Sequence, residues 1–318
     1  MAPTRLAPAR PAPARSGRPV VPGRAPTRYG RGGRPLRRRR PGPARLAALG
    51  LAVAAAVVVV PAVRDAVGGC DQDPALPAAA VDAAARIGVD AGLRVGVAVV
   101  DTATGACLVA GDQDGEFATA SVVKVMVAAR LLTEGALTGE TEALARAMVS
   151  LSDDAAANVL WERAGGPDLE PWIEEHYDLP ELGSPNGITG RWGNTHVTPL
   201  GLARLYAALR ADPVVWPWLG AALHDVRARA ADGTDQGFGL QSVAPGAAVK
   251  QGWANGSADD AGDAVVNSTG LLAGDRYVVV LLTEGDGNVS GCDGRGFHAG
   301  QAAVVTAMAQ QLVPSLAG

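Results

Sequence analysis

Only two lysines occur in this 318-residue chain of 26 arginines, and both sit beside residues with which an amine can do chemistry. The first lies in Thr119-Ala120-Ser121-Val122-Val123-Lys124-Val125-Met126, a Ser-x-x-Lys at the start of a predicted helix. A spacing of three puts both side chains on one helical face, so the amine can reach the hydroxyl. A serine hydroxyl is a poor nucleophile until a neighbour takes its proton. A lysine can do so once burial or a nearby cation lowers its pKa, whereas an arginine stays protonated. A helix N-terminus adds free N–H groups and positive potential for a developing oxyanion. An isolated Ser-x-x-Lys is weak evidence. It gains weight where arginine is the habitual surface cation.

The second lysine stands in Val249-Lys250-Gln251-Gly252-Trp253, at the end of a predicted strand. A strand-borne lysine followed closely by glycine suits a place where a substrate anion meets a cation and backbone approaches the ligand. Between the two lies Ser150-Leu151-Ser152-Asp153-Asp154-Ala155-Ala156-Ala157-Asn158, entering a helix. Ser152 and Asp153 are equally ordinary helix N-caps.

Taken in order, these three elements resemble the Ser-x-x-Lys, Ser-Asp-Asn and Lys-Thr-Gly set of the serine β-lactamases and penicillin-binding proteins, closest to class A β-lactamases. Asp153–Trp161 is similar to the helix after Ser-Asp-Asn. Thr195-His196-Val197-Thr198-Pro199 resembles that family's entry to its next helix, and Val265–Gly270 with Tyr277–Thr283 its last two strands. The likeness covers about residues 80–313. It implies Ser121 as acylated nucleophile, Lys124 as its base or proton relay, Ser152 as a shuttle toward the leaving nitrogen and Lys250 as the cation for a substrate carboxylate. Asp154, Gln251, Gly252 and Trp253 would line the substrate. The backbone N–H groups of Ser121 and Trp253 would form an oxyanion hole, worth about 3 kcal/mol per donor.

The chain departs from that pattern in places. Asp154 stands where the family has Asn; an ionised Asp only accepts hydrogen bonds, and pairing with Lys124 or Lys250 would raise the lysine pKa. Gln251 replaces a hydroxyl residue. Glu170, Glu174, Glu175 and Glu181 lie where a deacylating glutamate belongs, but none has the family's Glu-x-x-x-Asn context. The interval from Ser121 to Ser152 is also short. Each departure bears on hydrolysis more than on acylation.

The elements that must position these residues follow from periodicity. Leu93–Val100 and Ala106–Ala110 read as a hairpin about a turn at Thr102–Gly105, and strands are expected near 247–253, 262–271 and 276–283. Helical periodicity runs near 78–87, 121–134, 141–163, 198–210, 214–230 and 298–313. The expected class is α+β: an antiparallel five-stranded sheet flanked by helices, plus a helical subdomain.

Charge divides the chain sharply. Residues 1–64 carry 14 Arg and no acid, while the remainder carries 14 basic and 32 acidic residues, a net of −18. A nucleic-acid role for the folded part is thereby disfavoured. Residues 1–45, of Pro, Ala, Arg and Gly, read as a disordered cytoplasmic tail. Residues 46–63 are apolar and as a helix would span roughly 27 Å, just short of the roughly 30 Å hydrocarbon core. With Arg37–Arg40 before it, this segment reads as a single-pass signal anchor that leaves 78–318 outside the membrane, after a 64–77 linker. A cleaved export signal and a lipoprotein site at Val67-Gly68-Gly69-Cys70 are the alternatives.

Four scattered histidines and three cysteines exclude an ordinary metal centre, and no cofactor is expected. Cys107 and Cys292 either pair in an oxidising compartment or remain separate buried thiols. Trp216 and Trp218 read as core. Two functions compete. One is a monomeric serine hydrolase forming an acyl-enzyme with a small-molecule β-lactam or a peptidoglycan D-Ala peptide. The other is a module that binds or traps such ligands without turnover.

Overall fold

The apolar runs from the two halves of the chain meet in one sheet. The computed structural model describes residues 76–184, 191–255, 264–285 and 298–316. The tail (1–45), the apolar segment 46–63, most of the 64–77 linker, Cys70 and Cys292 lie outside the described residues. Among the described residues no helix is long and apolar enough to cross a membrane.

Helix α1 (Ala78–Asp90) leads into strands β1 (Arg94–Asp101) and β2 (Cys107–Gly111), then the two-residue strand β3 (Phe117–Ala118). A 3-10 turn (Ala120–Val123) runs into α2 (Lys124–Thr133), followed by α3 (Glu140–Ser150), α4 (Asp154–Arg163) and α5 (Leu169–Tyr177). Short strands β4 (Gly183–Ser184) and β5 (His196–Val197) precede α6 (Pro199–Ala211), α7 (Trp216–His224) and α8 (Gly239–Val243). Strands β6 (Ala248–Asn255), β7 (Ala264–Leu272) and β8 (Tyr277–Gly285) and helix α9 (Ala299–Leu312) close the chain. The sheet order is β2-β1-β8-β7-β6, with every pair antiparallel.

Both faces of this sheet are covered, which is why its strands read as continuous apolar runs. Val95, Val97 and Val99 of β1 and Val279 and Leu281 of β8 pack toward α1 and α9. Ala98, Val100, Val278, Val280 and Leu282 face the helical block, where α2 is buried nearly all round. A small second sheet, β3-β5-β4, ties the approach to Ser121 onto the segment before α6.

Three features depart from the periodicity. The helix expected over 141–163 is broken at Leu151–Asp153: Ser152 takes a left-handed φ of 52°, and the Asp153 side chain accepts from the Ala156 N–H to start α4 afresh. The segment expected as helix over 214–230 ends at His224, after which the chain runs back along the broken turn, the Arg227 N–H donating to Ser150 O and the Ala231 N–H to Leu151 O. Helices α5 and α8, of nine and five residues, were not anticipated, being short.

Glycine at 252 is required by packing. A Cβ there would lie 2.7 Å from Thr119 O and 3.3 Å from the Ser121 backbone nitrogen, so edge strand β6 presses directly on the turn that carries Ser121. Gly252→Ala must push these backbones apart. We expect it to destabilise the domain by about 1–3 kcal/mol, read by urea unfolding.

One buried group works against stability. Glu170, in the first turn of α5, is fully buried with both carboxylate oxygens unpartnered. Burial, then the nearby Glu174 and Glu116 carboxylates, push its pKa up from 4.5 to about 8. The native state therefore holds this proton more tightly than the unfolded chain, and stability must fall as pH rises between about 4.5 and about 8. Glu170→Met removes the orphaned oxygens. Thermal unfolding of this variant is expected to show a gain of about 1–3 kcal/mol at pH 8 and a smaller gain at pH 5.

Candidate active site

Ser121 is delivered by the 3-10 turn at the mouth of α2, in a backbone held from three sides. The Thr119 N–H donates to Thr195 O at 2.8 Å, linking the turn to β5. The Asn267 amide, from β7, donates to Ala118 O at 2.8 Å and to Thr119 O at 3.3 Å, while its own oxygen accepts from the Thr283 N–H. Glu284 accepts from the Ala118 N–H. Ala120, directly before Ser121, is forced to φ 45°, a left-handed conformation that costs an alanine about 1–2 kcal/mol. Left-handed non-glycine residues thus precede both serines of the site or form them, Ala120 before Ser121 and Ser152 itself. Such strain persists only where surrounding structure over-determines it.

The Lys124 ammonium is the hub. Its Nζ donates to Asp154 Oδ1 at 2.6 Å, to Ser152 O at 2.8 Å and to Ser121 Oγ at 2.9 Å, with Ser152 Oγ at 3.3 Å. The indole of Trp192 lies over it, the ring centroid 4.6 Å from Nζ, and is held by its N–H to Asn158 Oδ1. Lys250 reaches the same hydroxyl from the sheet: its Nζ donates to Ser152 Oγ at 2.9 Å and to Gln251 O at 2.9 Å. Ser121, Lys124, Ser152 and Lys250 therefore form one buried hydrogen-bonded chain, with Ser152 Oγ between the two amines.

The electrostatics favour proton movement along this chain. Burial pushes the Lys124 pKa down, against the opposing pull of Asp154 and, more weakly, Asp153 and Asp232. Lys250 is pushed well down by its complete burial and by the Lys124 charge. The pairing of Asp154 with Lys124 anticipated from sequence is present, and it does raise the lysine pKa, but desolvation outweighs it. As an ammonium, Lys124 has three protons for Asp154, Ser152 O and Ser121. It becomes an acceptor for the Ser121 proton only on losing one of them.

The expected substrate-lining residues divide. Gly252 abuts the Ser121 turn, and β6 forms the sheet edge there. The half-buried Trp253 packs its side chain toward the α9 face. Gln251 does not join the site. Strand alternation sends it to the face opposite Lys250, where its amide donates to the backbone carbonyls of Phe238 and Gln236. Its replacement of a hydroxyl residue therefore serves the core beneath α8 rather than a ligand. Asp154 stands at the opening, its side chain 66% exposed.

The glutamates after α4 are not among the partners of Lys124, Ser121 or Ser152 in the hydrogen-bonded chain. Glu170 is a buried acid without a hydrogen-bond partner, Glu174 and Glu175 lie farther along α5, and Glu181 pairs with Arg204. Among the described residues no group of three or more His, Cys, Asp or Glu side chains is placed to hold a metal. Cys107 is disulfide-bonded; the other two cysteines lie outside the described residues.

Sequence reading missed Trp192 and Asn267. The indole is brought over Lys124 by tertiary folding alone. Asn267 left a signal, a run of Asn-Ser-Thr inside the otherwise apolar strand Ala264–Leu272.

No protein-family model matches the chain. It is 34% identical over 186 residues to the "Putative lipoprotein LppW" of Mycobacterium bovis, and equally to that of Mycobacterium tuberculosis H37Rv. The aligned stretch is 55% of this chain and 57% of theirs, so the chain spans little more than half the length of the curated relatives it matches. Among solved structures it is similar to the TLA-3 extended-spectrum β-lactamase, at TM-score 0.59 and 13% identity, covering 76% of this chain and 99% of that one. It is also similar to a β-lactamase from Chitinophaga pinensis DSM 2588 (TM-score 0.58, 14% identity, 75% and 99% covered). A β-lactamase from Streptosporangium roseum gives TM-score 0.55 and 18% identity over 76% and 99%. At such identities the likeness is one of fold: the described residues adopt a β-lactamase-like fold.

Proposed function

We propose that the domain is an extracytoplasmic serine acyl-transfer enzyme in which Ser121 attacks a β-lactam or a D-Ala-type peptide bond and is acylated. The observation that carries this reading is the 2.9 Å contact between Lys124 Nζ and Ser121 Oγ inside a buried chain that continues through Ser152 to Lys250. Neutral Lys124 takes the hydroxyl proton as Oγ bonds to the carbonyl carbon. The N–H groups of Ser121 and Trp253 receive the oxyanion. Ser152 passes a proton to the leaving nitrogen, and Lys250 supplies the cation for a substrate carboxylate.

Export is supported by the lipoprotein name of the relatives and by the Cys107 disulfide, a bond that persists in oxidising compartments. Lipidation at Cys70 is favoured over an uncleaved 46–63 anchor on the first of these grounds. With three cysteines, a lipid on Cys70 requires Cys107 to pair with Cys292. The second reading, a module that traps ligand without turnover, draws on Trp192 covering Lys124 and on the absence of a glutamate bonded to it among the described residues.

Incubating the full-length chain in detergent with a fluorescent penicillin tests the proposal. One covalent label per chain is expected, absent from Ser121→Ala; labelling that persists in this variant removes Ser121 as nucleophile. Lys124→Arg keeps the charge but cannot accept a proton, so acylation should slow by on the order of 10²–10⁴-fold. For the unmodified chain the acylation rate should climb with pH and level off below the ordinary lysine range, since Lys124 is shifted down. A flat profile would take the lysine out of the base role.

A further inference from the structure

An ester on Ser121 is hydrolysed only if something takes a proton from the incoming water. Lys124 is neutral again once its proton has passed through Ser152 to the leaving nitrogen, but it is fully buried, whereas the incoming water arrives from the open side. Among the described residues no glutamate is bonded to Lys124, Ser121 or Ser152; Glu170 is buried without a partner and Glu181 pairs with Arg204. The carboxylate that does reach Lys124 is Asp154, through Oδ1 at 2.6 Å. Its side chain is 66% exposed, and its second oxygen makes no hydrogen bond among the described residues. Asp154 Oδ1 and Ser121 Oγ bond the same nitrogen, at 2.6 and 2.9 Å, so they stand within about 5.5 Å of one another. One water fits between a carboxylate and an ester carbon at that separation. The backbone of Asp154 is fixed by the N-cap of α4, where Asp153 Oδ1 accepts from the Ala156 N–H at 3.0 Å.

We propose that Asp154 is the catalytic base of deacylation, replacing a glutamate from the following helices. The inference rests on acylation of Ser121, as argued under Proposed function. A water on the open side donates one proton to the Asp154 carboxylate while its oxygen bonds to the acyl carbon. The bond from that carbon to Ser121 Oγ then breaks, and Oγ takes a proton from the Lys124 amine as that amine takes the proton held by Asp154. The Asp154 carboxylate, neutral Lys124 and the Ser121 hydroxyl are thereby restored, and the product leaves as a carboxylic acid. The aspartate that weakens the family's way of holding a substrate amide thus gains a different task.

The test follows the fluorescent penicillin adduct of the full-length chain through a single turnover. The wild-type adduct should form and decay. Asp154→Asn should acquire one label per chain and lose it at least about 100-fold more slowly. Asp154→Ala should be equally slow and should recover in saturable fashion with added sodium formate, a response that a purely structural aspartate would not give. Decay of the Asp154→Asn adduct at the wild-type rate overturns the inference. So does slow decay in Asp154→Ala without formate rescue, or a wild-type adduct that never decays; both leave acylation at Ser121 standing. Labelling of wild type but not of Asp154→Asn assigns the residue to acylation instead and likewise overturns it. If wild type takes no label at all, the acyl-transfer reading falls, and this inference falls with it.

Discussion

Two amines buried against a single hydroxyl form the constraint around which this domain is arranged. Moving an ammonium out of water costs several kcal/mol, and two of them side by side also repel. Lys124 and Lys250 meet at Ser152 Oγ all the same, with one aspartate at the solvent edge to offset the charge. Such an arrangement is tolerable when protons are shared rather than fully held, which is the direction in which burial drives both lysines. A surface site could not achieve this, because water would restore both ammonium groups to their ordinary basicity.

The rest of the fold can be understood as the means of enforcing that meeting. Lys124 and Ser121 arrive on the first turns of a helix buried in the helical block, whereas Lys250 arrives on the edge strand of the sheet. Gly252 lets the two layers touch backbone to backbone, and Asn267 fastens the strand before Ser121 to the sheet by its amide. Ser152 must then project from between α3 and α4, so the helix breaks there. The Ser150 and Leu151 carbonyls freed by the break accept from the segment after α7, while the Leu151 and Asp153 N–H groups donate back to Ala147 O. Each local departure from regular structure is matched by a specific partner.

How much of this was legible in the sequence depended on how local the cause was. The five strands, the α+β class and the closing helix follow from short-range periodicity, and their bounds moved by only a residue or two. The chemistry was legible through an unusual circumstance, lysine used twice in an arginine-rich chain. Gln251 could have been assigned correctly from alternation alone, because Lys250 and Gly252 share a strand face that their intervening neighbour cannot. The break at Ser152 was legible only in part: Asp153 could be read as an N-cap, and it is one, but the left-handed turn before it is supported by partners more than 70 residues away, among them Ala222 O accepting from the Ser150 hydroxyl. Nor was the position of Trp192, whose ring meets Lys124 across 68 positions of sequence. The raised pKa of Glu170 likewise comes first from its burial by the surrounding fold, with Glu174 of its own helix and the remote Glu116 adding to it.

The conformations of Ala120 and Ser152 carry a consequence for ligand entry. Both ends of the Lys124 hub are locked in sparsely populated backbone states, so the serine turn has little freedom to reshape itself around an arriving molecule. Adjustment is left to side chains on the rim, of which the Trp192 indole is the largest, half-buried and fastened at its ring nitrogen to the exposed Asn158. The result is a rigid floor beneath an aromatic cover, in which any space gained above Lys124 has to come from movement of the Trp192 ring rather than of the serine turn.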